Sequence, residues 1–190
     1  MGRMSALAAL LAFAMGVGAG PSAAAPASPA SDSQKLEELY AAAEAGETTA
    51  QVELALWLYT RPRYERDDRE AASWFQSAAD SGSPRAQYYL GYMYEEGRGV
   101  PQDFEQAIYW YAAAAEQGYV YGQYALALLY FDTPALSTDL VRAHKWLNIA
   151  ATLGHPLAPR TRERVTSLMN PDQVTEAQRL ARQWLEQPQK

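Results

Sequence analysis

Apolar residues recur along this chain at steps of three and four, the period of a helix with one buried face, and the whole pattern then repeats 36 residues later. Ala50, Ala86 and Gly122 fall in one register, as do Leu54, Leu90 and Leu126, and Ala55, Gly91 and Ala127. The register continues without slipping through Asp67, Asp103 and Asp139, then Ala71, Ala107 and Ala143, then Trp74, Trp110 and Trp146. It closes on Ala78, Ala114 and Ala150, on Ala79, Ala115 and Ala151, and on Gly82, Gly118 and Gly154. Self-similarity of this kind marks a stacked repeat architecture.

Each unit resolves into two helices. In the second unit, residues 85–96 place Ala86, Leu90, Met93 and Tyr94 on one face, and Gly97 and Gly99 break the helix. Residues 103–117 then carry Ala107, Trp110, Tyr111, Ala114 and Ala115 at helical steps, and Gly118 supplies the stop. Asp103 stands where a side-chain oxygen can accept bonds from the free amides of the first turn, which gives its recurrence a local reason. Small residues at 55, 91 and 127 are expected to let helix axes approach closely, with the tryptophans filling the wider gaps. One pair cannot bury both its apolar faces, so the pairs must stack into a solenoid.

The stretch AQYYLGYMYEEGRGVPQDFEQAIYWYAAAAEQG, residues 86–118, resembles a Sel1-like repeat almost position for position. The loops TRPRYERDD and DTPALSTD of the flanking units keep its length but lack its glycines. The resemblance implies an all-α, right-handed α/α superhelix: three Sel1-like helix pairs at 47–82, 83–118 and 119–154, within 47–155. Residues 34–46 are expected to form a capping helix of the second type, because Leu39, Ala42, Ala43 and Gly46 precede Phe75, Ala78, Ala79 and Gly82 by one period. Residues 156–187 are expected to form a C-terminal capping pair. There Arg162 and Glu163 replace the Leu and the small residue of the register, and Asn170, Pro171 and Gln173 open a last helix with a capping box.

The resemblance also implies a binding surface, since the first helices of such arrays line an inner wall. On the second unit's first helix Tyr88, Tyr92 and Glu95 lie at i, i+4 and i+7, flanked by Tyr89 and Glu96; Leu56 and Tyr59 match them in the first unit, and Leu128 and Phe131 in the third. Exposed, this stripe offers rigid aromatic area with hydrogen-bonding ends to a peptide or helix. The competing reading is packing against the next first helix, favoured for Tyr88, Val52 and Tyr124 and equally weighted for Tyr92, Leu56 and Tyr89.

Composition narrows the chemistry. The chain has 190 residues, no cysteine and two histidines, His144 and His155, which excludes disulfides and thiolate chemistry. No GxSxG, SxxK or HExxH pattern occurs, and the adjacent Glu95 and Glu96 splay apart on a helix rather than pairing as acid and base. No catalytic set, metal site or cofactor is therefore expected. The two histidines are assigned packing or surface roles, and the alternating charges from Arg61 to Glu70 a solvated loop. The alternative is a cell-wall or β-lactam hydrolase, proposed for cysteine-rich relatives, but their recurring cysteine pair is missing here.

Residues 1–24 read as a cleavable export signal: Arg3, an apolar run over Leu7–Val17, and Ser22-Ala23-Ala24 before the cut, with 25–33 as a flexible lead-in. The apolar run is about half the ~20 residues a bilayer span needs, so no stable anchor is expected after cleavage. Without Arg3 the chain holds 15 basic and 22 acidic residues, a net charge of −7, which argues against nucleic acid as partner. The expectation is a non-enzymatic scaffold, adaptor or regulator in the periplasm or outside the cell, holding a protein or peptide.

Overall fold

A computed structural model describes residues 29–61, 67–133 and 137–187. The expected export signal lies outside the described residues, as do 62–66 and 134–136 of the two glycine-free loops. The chain divides into two units, 1–37 and 38–190. In the first, residues 29–37 are helical; the second holds all three repeats and the helices after them.

Nine α-helices and no strand occur among the described residues: α1 Pro29–Glu44, α2 Thr48–Thr60, α3 Asp68–Asp80, α4 Pro84–Glu96, α5 Phe104–Glu116, α6 Val120–Asp132, α7 Leu140–Thr152, α8 Ala158–Thr166 and α9 Pro171–Leu185. Helix α1 begins well before the expected residue 34, and part of the expected lead-in is helical; proline's fixed φ suits a first helical position. The six repeat helices are each 13 residues long. Second helices are capped as their recurring aspartate predicts: Asp67 accepts from the amide of Glu70, Asp103 from those of Glu105 and Gln106, and Asp139 from that of Arg142, at 2.9–3.0 Å. Each cap is worth about 1 kcal/mol. Pairs end on a glycine with φ between 81° and 92° at 46, 82, 118 and 154, a conformation that a β-carbon disfavours.

The small residues divide into two jobs. At the 50/86/122 position one repeat meets the next closely at Gly122, where a β-carbon would lie 2.8 Å from that of Ala114 on α5. The 55/91/127 position instead makes room for a facing side chain: a β-carbon on Gly91 would lie 2.7 Å from the ring of Tyr111. Trp110 and Trp146 are buried, while Trp74 is half-buried and donates to Glu70 at 3.3 Å.

A buried polar ladder also ties repeat to repeat. Gln51, Gln87 and Gln123 each donate from Nε2 to a carbonyl near the end of the preceding helix, that of Ala43, Ala79 or Ala115, each at 3.2 Å. Ala43 of α1 thus occupies for Gln51 the place Ala79 has for Gln87.

At the far end, α8 stands where a fourth first helix would begin. Ala158, Thr161 and Val165 are buried, while Arg160 and Glu163 are exposed where the second and third units bury their equivalents. The capping box of Asn170 and Gln173 starts α9. Helix α9 packs on α7: Trp184 meets Trp146 edge to face at 5.8 Å and donates from Nε1 to Glu116 of α5 at 2.6 Å.

Candidate partner-binding surface

Helices α2, α4, α6 and α8 stand side by side. Tyr59 of α2 meets Tyr89 and Tyr92 of α4, with ring centroids 6.0 and 6.2 Å apart, α4 touches α6 directly, and Arg164 of α8 lies over Phe131 of α6 at 5.5 Å. The side chains these helices leave partly uncovered form one wall. Leu56, Tyr92 and Leu128 make its middle row, half-buried at a constant period, and Arg164 continues the row on α8. Tyr89 and Phe131 are half-buried beside it, and Glu96 is exposed at one edge.

Three of the sequence candidates face elsewhere. Tyr59 is 3% exposed and Tyr88 5% exposed, so neither offers a partner contact area. Tyr59 is enclosed by Phe75, Tyr89 and Tyr92, and the guanidinium of Arg98 lies 4.0 Å over its ring. Tyr88 packs among Tyr89, Tyr111, Tyr119 and Tyr121, and Val52 and Tyr124 of its register are buried with it. Glu95 is half-buried and accepts from the hydroxyl of Tyr111 at 2.7 Å, an inward commitment.

The wall also contains residues that the stripe alone does not reveal. Arg85 and Leu157 are exposed and Tyr121 half-buried in one register; Leu168, at 62%, is the most exposed large apolar side chain described, and Leu157 is 39% exposed. Extending the 36-residue period from Tyr121 and Asp132 into α8 and its flanks would have found both leucines. Ala125, half-buried at the place of Tyr89, makes a dip in the wall.

Behind the wall the rings form a connected series. Phe75 stacks on Tyr89 at 5.1 Å, Tyr89 meets Tyr88, Tyr88 meets Tyr119 and Tyr121, and Tyr121 meets His155, which stacks on Tyr124 at 4.1 Å. Burial, with neighbouring phenols and Glu95 adding to it, raises the pKa of Tyr59, Tyr88 and Tyr111, and pushes Tyr119 up to about 12. These phenols are neutral at physiological pH and act as packing rings. A rigid aromatic backing suits contact without rearrangement.

A second constellation holds the repeats in place. Arg98 reaches back to Asp68 with Nη2–Oδ1 at 2.6 Å and Nε–Oδ2 at 3.4 Å. Gly99 beside it has φ 71°, and a β-carbon there would overlap the Asp68 carbonyl. The loop of the second repeat is thus seated on the start of α3, which the glycines of GRGV permit. No group of three or more His, Asp or Glu able to hold a metal occurs among the described residues, and no helix among them is long and apolar enough to cross a membrane.

Among solved structures, a protective antigen of uropathogenic Escherichia coli displaying an SLR fold is similar over 81% of this chain, with a TM-score of 0.74 and 29% identity. The chain spans about a third of that antigen's length, 33%. A Sel1 repeat protein from Oxalobacter formigenes is similar over 69% of this chain and 98% of its own, with a TM-score of 0.59 and 35% identity. No curated protein matches the chain. The family model of the Sel1 repeat matches residues 48–83, 84–119 and 120–155, one residue later than the sequence boundaries. Three such matches over more than half its length place this all-α solenoid in the Sel1 repeat family, whose members generally serve as scaffolds for protein interaction.

Proposed function

We propose that the chain is a partner-binding scaffold of the bacterial cell envelope that takes a protein or peptide on the wall of its first helices. The observation that carries the reading is the middle row Leu56, Tyr92 and Leu128: apolar, periodic, and only half-covered although neighbouring positions of the same helices are fully buried. Tyr109 on α5 and Leu153 after α7 are also exposed, so it is the row's regular period along adjacent helices, rather than exposure alone, that marks this face as a candidate interaction site. Tyr89, Phe131, Glu96, Leu157 and Leu168 extend the contact area. Export is part of the proposal and rests on Arg3, the run Leu7–Val17 and Ser22-Ala23-Ala24. The absence of cysteine gives the hydrolase alternative no support.

The test is crosslinking of the tagged protein in its native envelope, comparing wild type with Leu128→Arg and Tyr92→Ala. A half-buried position tolerates such changes at a modest folding cost, so melting temperature serves as the control. Loss of one crosslinked species in both variants, with melting near wild type, supports the wall. The same species at undiminished yield in both variants refutes it.

A further inference from the structure

The only two histidines of the chain sit at opposite ends of the attachment of α8. His155 is 1% exposed and precedes α8; His144, 2% exposed on α7, meets its last residue. Their hydrogen bonds fix their protonation. The Oγ1 of Thr166 donates to the carbonyl of Arg162 at 2.8 Å, so it must accept from Nε2 of His144 at 3.1 Å. In the neutral imidazole this assigns the hydrogen to Nε2 and leaves on Nδ1 a lone pair that is buried with no protein partner. His155 is bonded in the opposite sense. Its Nδ1 accepts from the amide of Leu157 at 3.3 Å, so its hydrogen is on Nε2, which is buried and unbonded.

A second proton on either ring has only Nδ1 to go to. On His155 that is the atom accepting the Leu157 amide, so protonation breaks the bond that leads into α8 and sets two donors against each other. On His144 the new N–H finds no acceptor. The charged group that acts on His144 is Arg162 of α8, itself bonded to Asn148 of α7 at 2.8 Å. Against His155, α6 presents the rings of Tyr121 and Tyr124, and burial is what shifts its pKa, with no charged group contributing. The remaining charges of α8, Arg160, Glu163 and Arg164, and those of α9, which packs on α7, Asp172, Glu176, Arg179 and Arg182, are exposed. A cation formed at either site is thus buried without a compensating carboxylate, which is strongly unfavourable.

We propose that His144 and His155 form a paired proton latch: neutral, they fasten α8 to the third repeat, and protonated, they release it. Release uncovers Tyr124, whose hydroxyl bonds Thr161 at 3.2 Å, and removes Leu157, Arg164 and Leu168 from the wall. Burial lowers both histidine pKa values, that of His155 to about 4. The latch does not depend on what the wall binds.

Hydrogen exchange of the purified protein at pH 7.5 and pH 5.0, corrected for intrinsic rates, tests the latch. With a folded pKa of about 4 against about 6.5 when freed, His155 alone shifts the opening equilibrium of α8 by about thirtyfold at pH 5. The expected result is that amides of α8 lose protection by that factor or more, while those of α4 and α5 do not. The double variant His144→Gln, His155→Phe keeps the Thr166 donor and the stacked ring but cannot titrate, and its α8 exchange should not depend on pH. Unchanged α8 protection in wild type, a uniform loss over all helices, or a pH response surviving in the double variant would each overturn the latch. Should that variant fail to fold, NMR titration of the wild-type rings decides: imidazoles titrating near pH 6.5 with α8 still protected also overturn it.

Discussion

Replacing Gly91 by Ala adds one methyl group to α4 at a place where the ring of Tyr111 already stands. The new carbon would lie 2.7, 2.9 and 3.1 Å from three ring atoms, against about 3.5–4.0 Å for an ordinary carbon contact. The ring cannot simply swing away, because it is 1% exposed and its hydroxyl is bonded to Glu95 at 2.7 Å. Overpacking of this kind costs about 1–3 kcal/mol, partly offset by about 1 kcal/mol from the better helix propensity of alanine. The net expectation is a loss of about 1–2 kcal/mol, or several degrees in Tm. The first repeat supplies its own control, since Ala55 and Phe75 hold the same register positions and both are fully buried. Tyr111→Phe removes the tether to Glu95, so Gly91→Ala made in that background should cost close to nothing. Urea unfolding of the four proteins of this cycle measures the coupling, expected at about 1 kcal/mol or more. A Tm that rises in Gly91→Ala alone, with additive effects in the double variant, would refute the assignment of Gly91 as space for a pinned ring.

Other substitutions probe the scaffold. Asp103→Ala removes the acceptor for two amides of α5 and should cost about 1 kcal/mol by denaturation; a change below a few tenths would deny the cap its role. Gln87→Leu should cost more than Gln123→Leu, because both ends of Gln87 are bonded whereas the buried Oε1 of Gln123 has no partner and its removal relieves that atom. Equal losses by thermal melting would contradict this order. Stability as a whole should fall with acid. The folded pKa of His155 lies below its unfolded value of about 6.5, so its contribution is complete above that pH and is lost as pH drops toward about 4, amounting at most to about 3 kcal/mol. Identical melting at pH 7.5 and pH 4.5 would exclude it.

Local contacts are legible in the sequence, and contacts between repeats are not. Caps, stops and the capping box of α9 join residues within one turn, so Asp103, Gly118 and Asn170 can be placed by spacing alone. The fate of a wall position depends on the next repeat, which spacing does not weigh. Tyr59, Glu95 and Phe131 share a register, yet Tyr59 is sealed by Arg98 and Tyr92 of the following repeat, Glu95 bonds Tyr111, and Phe131 is left half-covered under Arg164. The glutamine ladder escapes hydropathy reading because a polar residue at a helical step looks like surface; only the facing carbonyl explains its burial. The bond from Trp184 to Glu116 joins residues too distant for any local pattern.

The repeats separate positions that keep one residue type from positions that vary. Positions that hold the backbone keep one chemistry throughout: glutamine at 51, 87 and 123, aspartate at 67, 103 and 139, glycine at 82, 118 and 154. Positions on the wall change at every step, from Thr49 to Arg85, Tyr121 and Leu157, and from Leu56 to Tyr92, Leu128 and Arg164. Packing does not force that variation, since these side chains are half-buried or exposed. A partner sliding along the wall by one repeat would meet an arginine where it had met a leucine, and a tyrosine in place of an arginine. Each wrong register leaves a charge against an apolar group, which discriminates through misfit as much as through attraction. If the proposed docking on this wall holds, the uneven rows would favour one register over the others, a property that three identical repeats would lack.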